Sequence, residues 1–282
     1  MTSGFLNVNK PSGMSSAAVV SVIKRLTGAA CGHMGTLDPL ASGVLPVAVG
    51  NASRLFNYLL DKQKVYLACF RFGTETDTLD IEGNVLRMGG RVPLEEELRA
   101  ACARFVGEID QVPPAFSAKS VNGVRAYRLA RQGKEVALPP KRVRIDGIEF
   151  VKEGAEGEFF FRIFCGGGTY IRSLARDIAA ECDTVGIMTS LVREKSGYFT
   201  LSQSVSLDEL RVSDWRAHLI PPEQVFGMPT LSLTGDAARR VGFGQTVPCA
   251  LSDGDYKLFL DGAFYGIARA EQGGVRAKVK LI

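Results

Sequence analysis

Histidine is nearly missing from this sequence: His33 and His218 are the only two among 282 residues. Six cysteines (Cys31, Cys69, Cys102, Cys165, Cys182 and Cys249) are scattered and form no Cys-x-x-Cys pair. With so few imidazoles and no paired thiols, a zinc site or a Ser-His-Asp triad is poorly supported. The cysteines read as reduced and mostly buried side chains. No apolar run approaches the ~20 residues that a membrane-spanning helix needs. Residues 1–10 lack the architecture of a secretory signal. Neither a P-loop nor a dinucleotide fingerprint occurs. These absences predict a cytoplasmic protein, away from membranes, that works without a metal or an organic cofactor.

What is present begins with a hydrophobic content of 46%, ample for a core. The length suits one large domain and a small one. Residues 31–50 stand out because four glycines and two prolines keep most of the stretch out of a helix. Asp38 is its only acidic residue, and Pro39 stiffens the chain beside it. The apolar run from Val44 to Val49 reads as a strand, with Pro46 near its start or at an edge. A lone carboxylate on a stiff loop against a buried strand is how a catalytic group is held. An Asx-type turn, with Asp38 bonding only backbone N–H groups, fits the local pattern equally well.

Charge is unevenly spread. The formal net charge is +4, yet residues 117–144 alone carry eight basic side chains and one acidic one, Glu135. A local excess of one sign is the electrostatic footprint of phosphate binding. Residues 110–144 therefore read as an excursion that grips a phosphate-bearing partner, with Lys119, Arg128, Arg131 and Arg142 as candidate contacts.

Period and punctuation predict the elements. Ser15 or Ser16 can cap a helix that buries Val19, Val22, Ile23 and Leu26 and ends at Gly28. Residues 53–60 read as a helix. Residues 64–72 read as a strand with Tyr66, Ala68, Phe70 and Phe72 on one face. Pro93 opens a helix with Leu94, Leu98, Ala101, Cys102 and Phe105 inward. Residues 159–165 read as a buried strand, followed by a helix burying Ile171, Leu174, Ala175, Ile178 and Cys182. Prolines near residue 228 mark a boundary. Beyond it, Asp261-Gly262 predicts a hairpin turn, and residues 275–281 alternate apolar with basic (Arg276, Lys278, Lys280).

The run Gly32-His33-x-Gly35-Thr36-Leu37-Asp38-Pro39-x-Ala41-x-Gly43-Val44-Leu45-Pro46-Val47 resembles the signature of the bacterial TruB family, the tRNA pseudouridine synthases. Further blocks resemble that family in order along the chain. They are Lys10-Pro11-x-Gly13-x-Ser15-Ser16, Lys64-x-Tyr66, the acidic turn 75–80, residues 111–119, residues 168–174 and residues 191–199. Two departures are mild: Ser15 stands where threonine is usual, and Val192 where many members carry a second arginine.

The resemblance implies an α+β fold. Its catalytic domain, residues 1–227, would hold a large mixed and mainly antiparallel sheet with flanking helices. A small β-barrel-like PUA domain, residues 228–282, would bind RNA. The implied activity is isomerisation of uridine to pseudouridine at position 55, in the T-arm loop of tRNA. Asp38, Tyr66 and Arg172 would be the catalytic residues, with Arg172 orienting Asp38 and Tyr66 stacking on the flipped uracil. An adjacent Arg172 could also acidify the Tyr66 hydroxyl into a base. His33 would fill the space the base leaves. Tyr170 and Leu191 would contact the base, and Lys10 a phosphate. No cofactor, no metal and no obligate protein partner are implied, and a monomer is expected. A non-catalytic RNA-binding protein on this fold, and a hydrolase using Asp38 with His33, are the alternatives.

Overall fold

The strand patterns assemble into one ten-stranded mixed sheet, followed along the chain by a five-stranded sheet. The computed structural model describes residues 3–60, 62–117, 120–121, 124–125, 132 and 138–281. The large sheet contains β1 (Gly4–Lys10), β2 (Cys31–His33), β3 (Ser42–Val49), β4 (Lys64–Phe72) and β5 (Gly107–Gln111). It continues with β6 (Lys141–Glu153), β7 (Glu158–Cys165), β8 (Gly186–Ser196), β9 (Phe199–Thr200) and β10 (Val205–Ser206). The order across it is β10-β1-β3-β8-β4-β7-β6-β5, with β2 paired to β3 and β9 to β8. β1 with β10 and β3 with β8 run parallel. The other pairings are antiparallel, as expected for this class.

Alternation along the strands feeds two apolar clusters. Leu6, Val8, Leu45 and Val47 join one cluster with the helices α1 (Ser16–Thr27), α2 (Glu95–Arg104) and α3 (Ile171–Glu181). Phe5, Val44 and Ala48, one position out of phase, join the other. α1 keeps its predicted limits: the Ser15 hydroxyl accepts from the Ala18 N–H, and Gly28 closes the helix in the left-handed region. α2 starts later than Pro93 suggests. Leu94 is the cap residue and lies exposed, while the Glu97 carboxylate accepts its N–H. Residues 53–60 divide into a 3-10 turn, Gly50–Leu55, and a short helix, Phe56–Leu60.

Pro46 lies inside β3, opposite Asn7 of β1, and not at an edge of the sheet. Its tolerance has a local cause. On the other flank β3 pairs with β8 only at Ser42 and Gly43, and with β2 only from Val47 to Val49. The missing N–H of Pro46 faces the gap between them, where its carbonyl still accepts from the Met34 N–H. Gly43 sits at the start of this gap with φ +98, and a Cβ there would stand 2.4 Å from the Arg193 carbonyl oxygen. Gly43→Ala should therefore destabilise the protein by at least the ~1–3 kcal/mol of a non-glycine residue held in that region. Denaturant unfolding would read it as a lower midpoint at constant slope. An unchanged midpoint would show that the neighbouring backbone relaxes freely.

The second sheet comprises β11 (Thr230–Leu233), β12 (Val247–Pro248), β13 (Gly254–Leu260), β14 (Ala263–Glu271) and β15 (Gly274–Lys280), in the order β11-β13-β14-β15-β12. The predicted turn is present, with Asp261 and Gly262 both at positive φ. Ile267 and Leu281 of this region pack in one apolar cluster with Phe5, Leu55 and Phe226. The Asn51 amide and the Arg54 guanidinium donate to the carbonyls of Leu281 and Lys280. Among the described residues no helix is long and apolar enough to cross a membrane.

Candidate active site

Within the 31–50 stretch, residues 34–41 form the non-helical loop between β2 and β3, and it is fastened at several points. The Ser16 hydroxyl donates to the Leu37 carbonyl at 2.8 Å and accepts from the Leu37 N–H at 2.9 Å. The Ser12 hydroxyl donates to the Leu40 carbonyl at 2.7 Å. Asp38 is thus presented by a loop with little freedom, on the wall of a cavity of about 310 Å³. Tyr66, Tyr170, Arg172, Leu191 and Arg193 are among the other residues that line it.

Arg172 is the first buried cation of α3, and its side chain is only 7% exposed. Its Nε lies 2.9 Å from Asp38 Oδ2 and its Nη1 3.4 Å from Asp80 Oδ2. Nη1 also donates to the Thr78 carbonyl at 2.9 Å, and Nη2 to the Phe116 carbonyl at 3.0 Å. Every nitrogen of the planar fork is engaged, and it aims Asp38 while leaving that carboxylate 36% exposed to the cavity. Burial pushes the Asp80 carboxyl above its ordinary range, opposed by the Thr78 hydroxyl, Arg172 and the Glu82 N–H. The start of α3 is itself clamped. Buried Gln111 of β5 accepts from the Tyr170 N–H at 2.8 Å and donates to the Tyr170 carbonyl at 3.1 Å.

Tyr66 stands on β4 directly opposite Arg193 of β8 and is buried. Burial pushes its hydroxyl above the ordinary phenol value, and the neighbouring Arg193 only partly opposes this. The expectation of an acidified hydroxyl beside Arg172 is therefore corrected on both counts. The neighbouring guanidinium is Arg193, and the phenol stays protonated at neutral pH. Tyr170 is half-buried at the same cavity, and burial raises its hydroxyl too, against Ser117 and Arg172. Leu191 is buried and walls the cavity.

The remaining candidates fall in different places. His33 lies on β2 and is half-buried, with Nδ1 lacking a partner among the described residues. Burial and the Arg193 charge both push its imidazole below 6.5, so the ring is neutral at physiological pH. Lys10 corrects the phosphate expectation. It is completely buried, and its ammonium donates to the carbonyls of Pro11, Met14 and Pro39. Burial lowers its pKa to about 8. It braces the loop from within. Arg142 is exposed on β6 and lies 3.3 Å from both Glu108 and Asp110 of β5. Lys119, Arg128 and Arg131 lie outside the described residues. Asp80, Gln111 and Arg193 carry much of the geometry, yet the sequence presents them only as members of longer blocks.

Comparisons with known proteins point the same way. The family profile described as "TruB family pseudouridylate synthase (N terminal domain)" matches residues 24–171. The tRNA pseudouridine synthase B of Anaplasma marginale is 44% identical over 251 residues, covering 86% of this chain and 82% of that protein. Its namesake in Saccharophagus degradans is 39% identical and covers 99% and 96% of the two chains. The one from Caldanaerobacter subterraneus subsp. tengcongensis is 37% identical and covers 98% of each. Among solved structures, a chain of a Cbf5-Nop10-Gar1 complex superposes with a TM-score of 0.72 at 24% identity, covering 99% of this chain and 85% of that one. A chain of an archaeal box H/ACA Nop10-Cbf5 complex gives 0.71 at 24% identity, covering 99% and 86%. At that identity the likeness is one of fold.

Proposed function

The chain belongs to the TruB family of pseudouridylate synthases, and from that premise we propose that it isomerises uridine 55 in the T-arm loop of tRNA, with Asp38 as the catalytic carboxylate. The observation that carries this reading is the pairing of Asp38 with buried Arg172 at 2.9 Å on the wall of the cavity. A volume near 310 Å³ is at the small end of ligand sites, which run ~300–1,000 Å³, and suits one nucleoside.

The reaction keeps every heavy atom of the nucleotide. The N1–C1′ bond breaks, the base turns, C5 bonds to C1′, the C5 proton leaves and N1 gains one. A single carboxylate can start it, by adding to the base or by helping to take a proton from the sugar. Arg172 holds that carboxylate in register. The base cannot reach the cavity while stacked in a folded loop, so it is flipped out, at a cost of a few kcal/mol. In this reading neutral His33 fills the vacated stack, and Tyr66, Tyr170 and Leu191 enclose the base. Arg142, with Lys119, Arg128 and Arg131, contacts the backbone.

Because the Tyr66 hydroxyl stays protonated, its ring is what serves the substrate, and Asp38 is the better acceptor for the C5 proton. Tyr66→Phe should accordingly bind tRNA normally and keep a single-turnover rate within about tenfold of wild type, below the ~10²–10⁴ of acid–base catalysis. Tyr66→Leu should lose roughly 1–3 kcal/mol of base capture through stacking. A loss beyond ~10²-fold in Tyr66→Phe would return the hydroxyl to the chemistry.

Residues 228–282 are read as a PUA-like RNA-binding part of a cytoplasmic monomer. Arg276 and Lys278 are 59% and 47% exposed on β15, each beside an acidic residue, Glu271 and Asp255. The test of the whole reading is incubation of purified protein with tRNA carrying tritium at C5 of uridine, followed by mapping of the modified position. Release of the label at position 55 from intact RNA is expected. Binding without release would favour the non-catalytic alternative, and cleaved RNA the hydrolase.

A further inference from the structure

Arg193 is a cation where a strand's edge would otherwise be bare. The flank of β3 from Val44 to Pro46 has no strand partner, because β8 pairs only with residues 42–43 and β2 only with residues 47–49. Arg193 leaves β8 opposite Gly43 and fills this gap with its guanidinium. Its Nε donates to the Val44 carbonyl at 2.7 Å, Nη1 to Thr36 at 3.3 Å and Nη2 to Gly35 at 3.0 Å. The residue is 1% exposed, and none of the ion pairs among the described residues involves it. A buried arginine without a carboxylate is costly, and carbonyl dipoles are its compensation here.

The three acceptors have one thing in common. Gly35 and Thr36 precede Asp38 on the loop, and Val44 follows it where the chain enters β3. One guanidinium therefore joins the two ends of the Asp38 loop, and Gly43, lacking a Cβ, lets the Arg193 backbone approach closely enough to do so. Arg172 grips the carboxylate from α3 across the cavity. A carboxylate held from one side only would swing with its loop.

We propose that Arg193 is a positioning residue for pseudouridine formation: by tying both ends of the loop to β8, it fixes the place of Asp38 relative to the cavity. It acts through the loop backbone and not on the substrate. The inference rests on the functional reading given above. A lysine at this position keeps the charge but cannot reach three acceptors that lie in different directions.

Two variants test it, with wild type in the same tritium-release assay. Arg193→Lys should lower the single-turnover rate at saturating enzyme by about 10²-fold, the scale of a small misplacement of a catalytic group. Its tRNA Kd should stay within about threefold, because binding does not depend on where Asp38 points. The second variant leaves Arg193 intact. Replacing Thr36 by its α-hydroxy acid turns the Gly35 carbonyl into an ester, a weaker acceptor, and should slow the reaction by about tenfold, one hydrogen bond's worth. If Arg193→Lys does not fold, the ester variant decides. Wild-type rates in the folded variants would overturn the inference. So would equal losses of rate and binding, which would make Arg193 a core residue only. If wild type itself releases no label, the functional reading fails instead.

Discussion

Asp38→Asn should give a folded protein that binds tRNA and makes no pseudouridine. Asparagine keeps the size and planarity of the side chain and removes the charge. The fold should tolerate this, since Arg172 retains Asp80 and two backbone carbonyls as partners. Asp38 is 36% exposed, so the loss of its pairing should lower stability by no more than ~1 kcal/mol. Binding should hold as well, because no proposed phosphate contact involves Asp38. The chemistry has no such reserve. Addition to the base needs an anionic nucleophile, and sugar deprotonation needs a base; an amide is neither. A fall of ~10⁴-fold or more, at the top of the range for acid–base groups, is expected. Single-turnover measurement at saturating enzyme isolates this step from product release. A rate within about tenfold of wild type would remove Asp38 from the reaction.

The parts of the fold and the site that were legible in the sequence are those set by short-range chemistry. The caps at Ser15 and Gly28, the Asp261-Gly262 turn and the glycine- and proline-bound loop around Asp38 each follow from a few adjacent residues. Arg193 could not be found in that way. In the run Val192-Arg193-Glu194-Lys195 it reads as one of three charges on a strand. It is buried because a gap opens on β3, and the Val44 carbonyl that it satisfies is 149 residues away. Lys10 failed in the opposite direction. The resemblance implies a phosphate contact for it, but the chain returns 29 residues later and places the Pro39 carbonyl on its ammonium. The neighbour of Tyr66 was decided by the register of β4 on β8, which sets Arg193 opposite it. That register passes through irregularities between Met188 and Ser190 and between Arg193 and Lys195, which no local pattern announces. Asp80 shows the same limit. It belongs to an acidic turn that stands out in the sequence only as part of a longer block, and it is buried because the turn bridges to Met188.

Arg172→Lys tests whether the shape of that buried cation matters as much as its charge. The guanidinium serves four acceptors: Asp38, Asp80 and the carbonyls of Thr78 and Phe116. They lie around a planar fork with five N–H donors, whereas an ammonium offers three donors from one point. Lysine should settle where it is most strongly held, beside Asp80, whose side chain is as buried as that of Arg172 at 7%. Asp38, more exposed and at the mouth of the fork, is the partner it releases. The charge is kept, so the variant avoids the ~3–5 kcal/mol cost of stranding a buried carboxylate. A loss of ~1–3 kcal/mol for a buried carbonyl left without a donor is expected instead. Asp38, freed from its 2.9 Å contact, keeps its charge but loses its direction, and misplacement on the scale of 1 Å costs ~10²-fold in rate. The expected result is a single-turnover rate down by at least ~10²-fold with a nearly unchanged tRNA Kd. Arg172→Met should behave differently, by losing stability first, because Asp80 is then buried without a cation. Equal rates for wild type and Arg172→Lys would mean that charge alone suffices, and that the fork at Arg172 serves the fold and not the reaction.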